Sequence, residues 1–502
     1  MDFNWKVLQN GSDIRGIAIE GVEGENVNLD EQRVNHLARA FYTWLLAKEE
    51  GQKTIAIGLD SRISGPALKR SFADGIIAMG GNVIDCGLAS TPAMFMTTKA
   101  TDLEVDAGVM LTASHLPFNR NGLKFFTPEG GLNKKDIKEI LQIAAENATL
   151  GDNDNPGNLS EFHFIEKYAM HLVNVVRSGV DDPGNYQQPL SGLKIIVDAG
   201  NGAGGFFVDK VLKPLGADVE GSQFLDPDGM FPNHIPNPEN DEAMESICQA
   251  VRDNRADLGI IFDTDVDRAA VVDRNGNPIN RNALIALMAA ITLEEHPGST
   301  IVTDSVTSDG LTVFIEKVLK GKHHRFKRGY KNVIDEAIRL NKTGIASQLA
   351  IETSGHAALK ENYFLDDGAY LVALVLVKMA KLKNEGATLE ELIKNLKQPV
   401  ECEEFRMYLS KDDPVKTGSA ILKTLSEITD SQEGWALVEP NYEGIRVKCS
   451  EERGWFLIRQ SLHDPLLVLN VESDRTGGSR IIINELKKTL SNFAELDISD
   501  LE

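Results

Sequence analysis

The sequence predicts an α/β protein: three similar mixed α/β domains in series, followed by a smaller C-terminal α+β domain. The first observation behind this is a recurring order of strand, Gly-bearing turn, amphipathic helix and second strand. It runs through TIAIGLDSRISGPALKRSFADGIIAMGGNVIDCG (54–87), LKIIVDAGNGAGGFFVDKVLKPLGADVEG (193–221) and STIVTDSVTSDGLTVFIEKVLKGKHHRFKRG (299–329). Each copy opens on an apolar run suited to a strand buried on both faces, as in parallel α/β layering. Three copies imply three similar layers. The second observation is the tail, where GWFLIRQ, LLVLNVES and RIIINELKKTLSNF read as strands closed by a helix.

Polar stretches mark the seams. GDNDNPGNLSEF (151–162) and VDDPGNYQQPLSG (180–192) bracket a helical segment that joins the first two domains. HPGS (296–299) and NLKQPVECEEF (395–405) mark the next two. The expected division is 1–155, 156–295, 296–398 and 399–502. A chain of 502 residues is too long for one core and suits three or four domains.

The composition, with 42% hydrophobic and 6% aromatic residues, is that of a soluble globular protein. A formal charge of −23 argues against nucleic acid and anionic membranes as partners. An anionic small substrate then needs locally concentrated Arg and Lys. The four cysteines are scattered without a CxxC pair, and the chain opens without signal-like character. The expected location is cytoplasmic, or a soluble organelle compartment if a transit peptide has been removed.

The most informative stretch is ADLGIIFDTDVDRAAVVD (256–273). An apolar strand ends in Asp263, Asp265 and Asp267, with Arg268 next. Alternate carboxylates in one tight loop offer hard oxygen ligands that suit Mg²⁺. An EF-hand loop would need Gly at its sixth position and Glu at its twelfth, where this chain has Arg268 and Arg274. Arg268 beside a metal would help hold a phosphate.

GVMLTASHLPFNRNGLKFF (108–126) delivers Ser114 at the end of another strand, where open α/β sheets present ligands. No GxSxG elbow surrounds it, and His115, adjacent in sequence, is badly placed to act as its base. A serine that carries a phosphoryl group fits better, its phosphate adding one metal ligand to the three aspartates. Lys124 would then exchange protons with a sugar hydroxyl, and His115 would hydrogen-bond the phosphoserine or a charged neighbour.

With these motifs in order, the chain resembles the α-D-phosphohexomutases over nearly its whole length. SDIRG (Arg15, Gly16) is similar to the family's opening Arg-Gly motif, GLDSRISG to its Gly-x-Asp-x-Arg segment and TASHLPFNRNGLK to its phosphoserine loop. DTDVDR resembles the metal loop, RGYKNV (Gly329, Lys331) the sugar-orientation loop and IETSGH (Glu352, Ser354, Gly355, His356) the sugar-binding loop. RQSLHDP (Arg459, Ser461, His463) resembles the distal phosphate loop. The resemblance implies four domains around a central cleft. It also implies an Mg²⁺-dependent mutase interconverting the 1- and 6-phosphates of glucose or mannose through a phosphoserine and a hexose 1,6-bisphosphate, which also serves as activating primer. Ser114 would carry the phosphoryl group and Asp263, Asp265 and Asp267 would hold Mg²⁺. Lys124 and His356 would act as acid and base, and Arg15 and Arg268 would steady the transferring group. Glu352 and Ser354 would grip sugar hydroxyls, while Arg459 and Ser461 would hold the other phosphate. The partner is a small hexose phosphate, and the chain would be a monomer or homodimer.

This sequence departs from the family pattern in its loops. Leu116 replaces an Asn, Thr264 and Val266 replace two metal-loop glycines, and Leu462, His463 and Asp464 replace Gly-Thr-Glu. β-branched residues disfavour positive φ, so the metal loop must keep ordinary dihedrals or accept strain. His463 would make distal phosphate binding pH-sensitive if it contributes. Two other readings stay open: a phosphotransferase that forms or releases hexose 1,6-bisphosphate, and a catalytically quiet sugar-phosphate sensor.

Overall fold

Thr54–Leu59, the apolar run TIAIGL, forms an interior strand of the first sheet in a computed structural model that describes residues 3–147, 151–410, 413–429, 432–461 and 464–501. The chain forms two compact units, one of residues 1–291 with 354–392 and one of residues 292–353 with 393–502.

In the first unit, Thr54–Leu59 pairs in parallel with Asn82–Leu88 and Ala107–Leu111. The helix between the first two strands, Gly65–Ala78, starts with Pro66 in its first turn, where the missing N–H costs nothing. Arg120–Thr127 then runs antiparallel to Ala107–Leu111 and to Asp13–Ile17, which makes the sheet mixed. Leu159–Glu161 adds a parallel edge strand beyond residue 155. Phe41, Phe72 and Phe125 pack with Ile57, Val109 and Leu111 to form the core between this sheet and its helices.

A second sheet has Ile195–Asp198 parallel to Leu258–Phe262, which turns back through a tight loop into Ala269–Val272. Helix Asp241–Asn254 covers it through Ile247 and Val251, packed with Ile196 and Ile261. The second sequence repeat is less regular than the first. Its expected second strand is reduced to isolated bridges, Lys194 with Asp218 and Asp198 with Gln223. The expected linking segment is helix Phe164–Val180, whose Tyr168 hydroxyl donates to Asp367 at 2.5 Å at the start of helix Gly368–Glu385.

In the second unit, Thr300–Thr303 is flanked in parallel by Lys322–Arg325 and Ser347–Ile351. The tail is an antiparallel five-stranded sheet with Leu466–Ser473 between Glu401–Tyr408 and Gly454–Gln460. Helices Pro414–Thr429 and Gly478–Leu490 pack on it through Ile421, Ile482 and Leu486. The three mixed α/β layers and the smaller α+β tail match the expected fold class. No helix among the described residues is long and apolar enough to cross a membrane.

Candidate active site

The loop after Ala107–Leu111 carries Ser114, and the loop after Leu258–Phe262 carries the three aspartates. Both strands are buried along their whole length, so each loop leaves a rigid support. Ser114 is buried and left-handed, with φ 49°. Its N–H donates to the Thr112 hydroxyl at 2.9 Å. Its own hydroxyl donates to Asp263 Oδ2 at 2.9 Å and accepts from Arg268 Nη2 at 2.9 Å. The expected meeting of serine and acidic loop therefore occurs.

Lys124 arrives through register. Arg15 lies opposite Gly122 on the neighbouring strand, so Arg15 and Lys124 share one face of the sheet. A Cβ on Gly122 would lie 2.2 Å from the Ile14 carbonyl oxygen, so only glycine allows the three strands to close here. The Lys124 ammonium donates to Asp267 and lies 3.2 Å from Asp265 Oδ2. Arg15 donates to the Ala113 carbonyl at 2.5 Å and pairs with Asp13 at 2.9 Å.

In the acidic loop, Val266 N–H donates to Asp263 O at 3.3 Å, and Arg268 N–H donates to Asp263 Oδ1 at 3.2 Å. Asp263, Asp265 and Asp267 each present an oxygen within 4.8 Å of the others, and all three are buried. Asp265 Oδ1 and Asp267 Oδ1 meet no hydrogen-bond donor among the described residues. Buried anionic oxygens in that state are costly unless something cationic takes them up. Burial, then the charges of Asp267 and Asp265, pushes the Asp263 pKa well above the ordinary carboxylate range. A bare, hard-oxygen, charge-crowded set of this kind fits a divalent cation. The loop does accept strain: Val266, buried and β-branched, sits at φ 66°, while Thr264 avoids the left-handed region.

His115 Nδ1 receives Arg268 Nη2 and stands 3.4 Å from the Ser114 hydroxyl. The Arg268 charge, then burial, push its pKa down to about 2, so it is a neutral acceptor that aims the guanidinium. His356 follows Gly355, whose φ of 93° and 2.7 Å Cβ approach to the Ala269 carbonyl demand glycine. Its Nδ1 lies 2.5 Å from Asp366 Oδ2 and 3.9 Å from Asp267 Oδ1. Burial opposes the charged ring, but Asp366 and Asp267 outweigh it and raise the His356 pKa. Ser354 is buried in this same unit.

The remaining expected residues lie in the second unit. Glu352 Oε1 accepts from Gly329 N–H at 2.6 Å, at the start of helix Tyr330–Lys342, where a carboxylate meets unpaired donors. Lys331 Nζ pairs with Asp335 at 2.9 Å on that helix. Arg459 is buried, and the Ser461 hydroxyl accepts from Asp464 N–H at 3.2 Å. His463 and Leu462 lie outside the described residues.

Sequence reasoning left four contributors without a role. Arg62 donates to the carbonyls of Leu116, Pro117 and Arg120 at 2.6, 2.7 and 2.9 Å, as well as to Ser114 O. Asp60 backs it at 3.3 Å, and burial pushes the Asp60 pKa up to about 6. Thr91 holds Asp265, and Asp366 holds His356. The GLDSR motif was the available signal for Arg62 and Asp60; Thr91 and Asp366 had none.

The chain is similar to known proteins over most of its length. Three family profiles, described as phosphoglucomutase/phosphomannomutase α/β/α domains I, II and III, match residues 6–150, 166–276 and 280–400. A phosphomannomutase/phosphoglucomutase of Pseudomonas syringae pv. tomato is 31% identical over 92% of this chain and 90% of its own length. A phosphoglucomutase of Neisseria meningitidis is 29% identical over 90% of this chain and 91% of its own. The crystal structure of a phosphoglucomutase/phosphomannomutase family protein from Burkholderia thailandensis superposes with a TM-score of 0.79. It is 25% identical and covers 97% of this chain and 98% of that one.

Proposed function

This chain belongs to the phosphoglucomutase/phosphomannomutase family, and on that premise we propose that it is a phosphohexomutase interconverting hexose 1-phosphate and hexose 6-phosphate, of glucose or mannose. One observation carries this reading. The Ser114 hydroxyl lies 2.9 Å from both Asp263 Oδ2 and Arg268 Nη2, with two carboxylate oxygens of the same acidic loop that accept no hydrogen bond among the described residues.

Asp263, Asp265 and Asp267, with the esterified Ser114, would hold Mg²⁺, which supplies electrophilic stabilisation of the transferring phosphoryl group. The chain's own groups do the rest. A sugar hydroxyl attacks the phosphorus of phosphoserine 114; the new sugar O–P bond forms as the Ser114 Oγ–P bond breaks. The hydroxyl proton passes to whichever of His356 and Lys124 is in its neutral form, which returns it in the second half of the reaction. Arg268 Nη2, aimed by neutral His115, meets the negative charge that grows on the departing Oγ. The resulting hexose 1,6-bisphosphate turns over, and the Ser114 oxygen attacks its other phosphorus; the Oγ–P bond re-forms as that sugar O–P bond breaks, and a proton returns to the departing sugar oxygen. Glu352 and Ser354 would hold hydroxyls in both orientations, Gly329 and Lys331 would orient the sugar, and Arg459 and Ser461 would hold the distal phosphate. The four-part division at 155, 295 and 398, the cytoplasmic location and the bisphosphate primer belong to the same proposal.

Intact-mass measurement of purified protein should show a substoichiometric species heavier by one phosphoryl group, lost in Ser114→Ala. A panel of glucose and mannose phosphates, assayed with and without hexose 1,6-bisphosphate, should show Mg²⁺-dependent interconversion that the primer accelerates. Net bisphosphate production alone would replace the mutase with a phosphotransferase. No turnover on any hexose phosphate would leave only a sensor.

A further inference from the structure

Thr91 begins the short helix Thr91–Thr97 in the first sheet's domain, far in sequence from the acidic loop. It nevertheless makes two bonds to one aspartate. Its N–H, a first-turn donor with no partner inside the helix, reaches the Asp265 carbonyl at 2.8 Å. Its hydroxyl donates to Asp265 Oδ2 at 2.5 Å. Both side chains are buried, Thr91 at 3% and Asp265 at 0% exposure. Lys124 Nζ lies 3.2 Å from the same Oδ2. That oxygen is therefore engaged, and the carboxylate rotation it fixes leaves Oδ1 as the bare atom, without a donor among the described residues.

We propose that Thr91 is a positioning residue for the divalent cation: its hydroxyl locks the Asp265 carboxylate in the rotation that offers Oδ1 as ligand. This rests on the metal reading of the acidic loop given above. Partners behind a ligand typically carry 10–100-fold in metal affinity. The backbone bond to Asp265 O does not involve the side chain, so a Thr91→Val substitution removes the lock while leaving the loop docked.

The test is a thermal-unfolding titration of the full chain with MgCl₂, without sugar, for wild type, Thr91→Val, Thr91→Ala and Thr91→Ser. Binding to the folded state raises the melting temperature with cation concentration, which yields a dissociation constant independent of turnover. The expected result is a constant weaker by about 10-fold or more in Thr91→Val and Thr91→Ala, and within about threefold of wild type in Thr91→Ser. The alanine variant serves should the extra methyl of valine prevent folding. Wild-type-like affinity in either variant lacking the hydroxyl overturns the proposal. A wild-type protein that shows no Mg²⁺-dependent shift overturns the metal reading itself, a separate result.

Discussion

Arg62 donates to the carbonyl oxygen of Ser114, and the same guanidinium gathers the carbonyls of Leu116, Pro117 and Arg120. One buried cation thus ties down the turn that keeps Ser114 left-handed. Lysine retains the charge but lacks the fork that spans several acceptors. Arg62→Met also takes from buried Asp60 its cation partner at 3.3 Å, leaving it the residue-62 N–H at 2.9 Å. Removing one member of a buried pair costs about 3–5 kcal/mol. Urea unfolding should show a loss of that size in Arg62→Met and a smaller one in Arg62→Lys. A change under about 1 kcal/mol in Arg62→Met would show that the clamp does not hold the loop.

His234 Nε2 lies 3.0 Å from both oxygens of Asp198, and Nδ1–H donates to Ile235 O at 3.0 Å. Burial disfavours the charged ring, but the Asp198 hydrogen bond and charge outweigh it and raise the pKa. A raised folded-state pKa means the stabilisation is complete below the unfolded value of about 6.5 and is lost as pH rises through the folded value. Stability should therefore decline on the alkaline side of about pH 6.5, and His234→Gln should flatten that decline. Parallel wild-type and His234→Gln stability curves between about pH 6 and pH 9 would dismiss the pair as a contributor.

Val266 sets two effects against each other. Its φ of 66° costs an L-residue about 1–2 kcal/mol, which glycine would recover. Its side chain is wholly buried, and burial of a valine is worth about 1.5–3 kcal/mol. Glycine adds up to about 1 kcal/mol of backbone entropy to the cost. Burial wins, so Val266→Gly should destabilise by about 1–2 kcal/mol in denaturant unfolding. A more stable glycine variant would mean that strain, not packing, dominates this loop.

These cases show what the linear sequence could reveal. Ser114 and the three aspartates were legible because each follows an apolar run and sits in a short pattern with its own chemical logic, whereas Lys124, inside the strand Arg120–Thr127, was legible through the NGLK pattern alone. The fold class was legible for the same reason, since TIAIGL and LGIIF must be buried strands. Arg62 clamps a loop whose Ser114 carbonyl lies 52 positions on. Thr91 meets Asp265 across 174 positions. No local period encodes such meetings; the sheet order creates them. The second repeat misled for a related reason: pairing decides whether an apolar stretch becomes a strand, and residues 217–223 find only isolated bridges.

Arg459 yields the sharpest separation between function and stability. It is 5% exposed, and its Nε has no hydrogen-bond partner among the described residues. Burial lowers its pKa, with Glu443 opposing and Arg328 adding to the fall. A buried guanidinium whose Nε meets no acceptor among the described residues costs stability, and an apolar chain of similar length would relieve that cost. If it serves a substrate phosphate, one charge-assisted contact of about 1.5–3 kcal/mol is at stake. Arg459→Met should then raise KM for the hexose phosphate by about 10-fold or more, while unfolding stability stays level or rises by about 1 kcal/mol. Steady-state kinetics and urea unfolding on one preparation decide the matter. A variant that loses stability with KM unchanged would make Arg459 a structural residue, and the distal phosphate site would have to be sought elsewhere in the second unit.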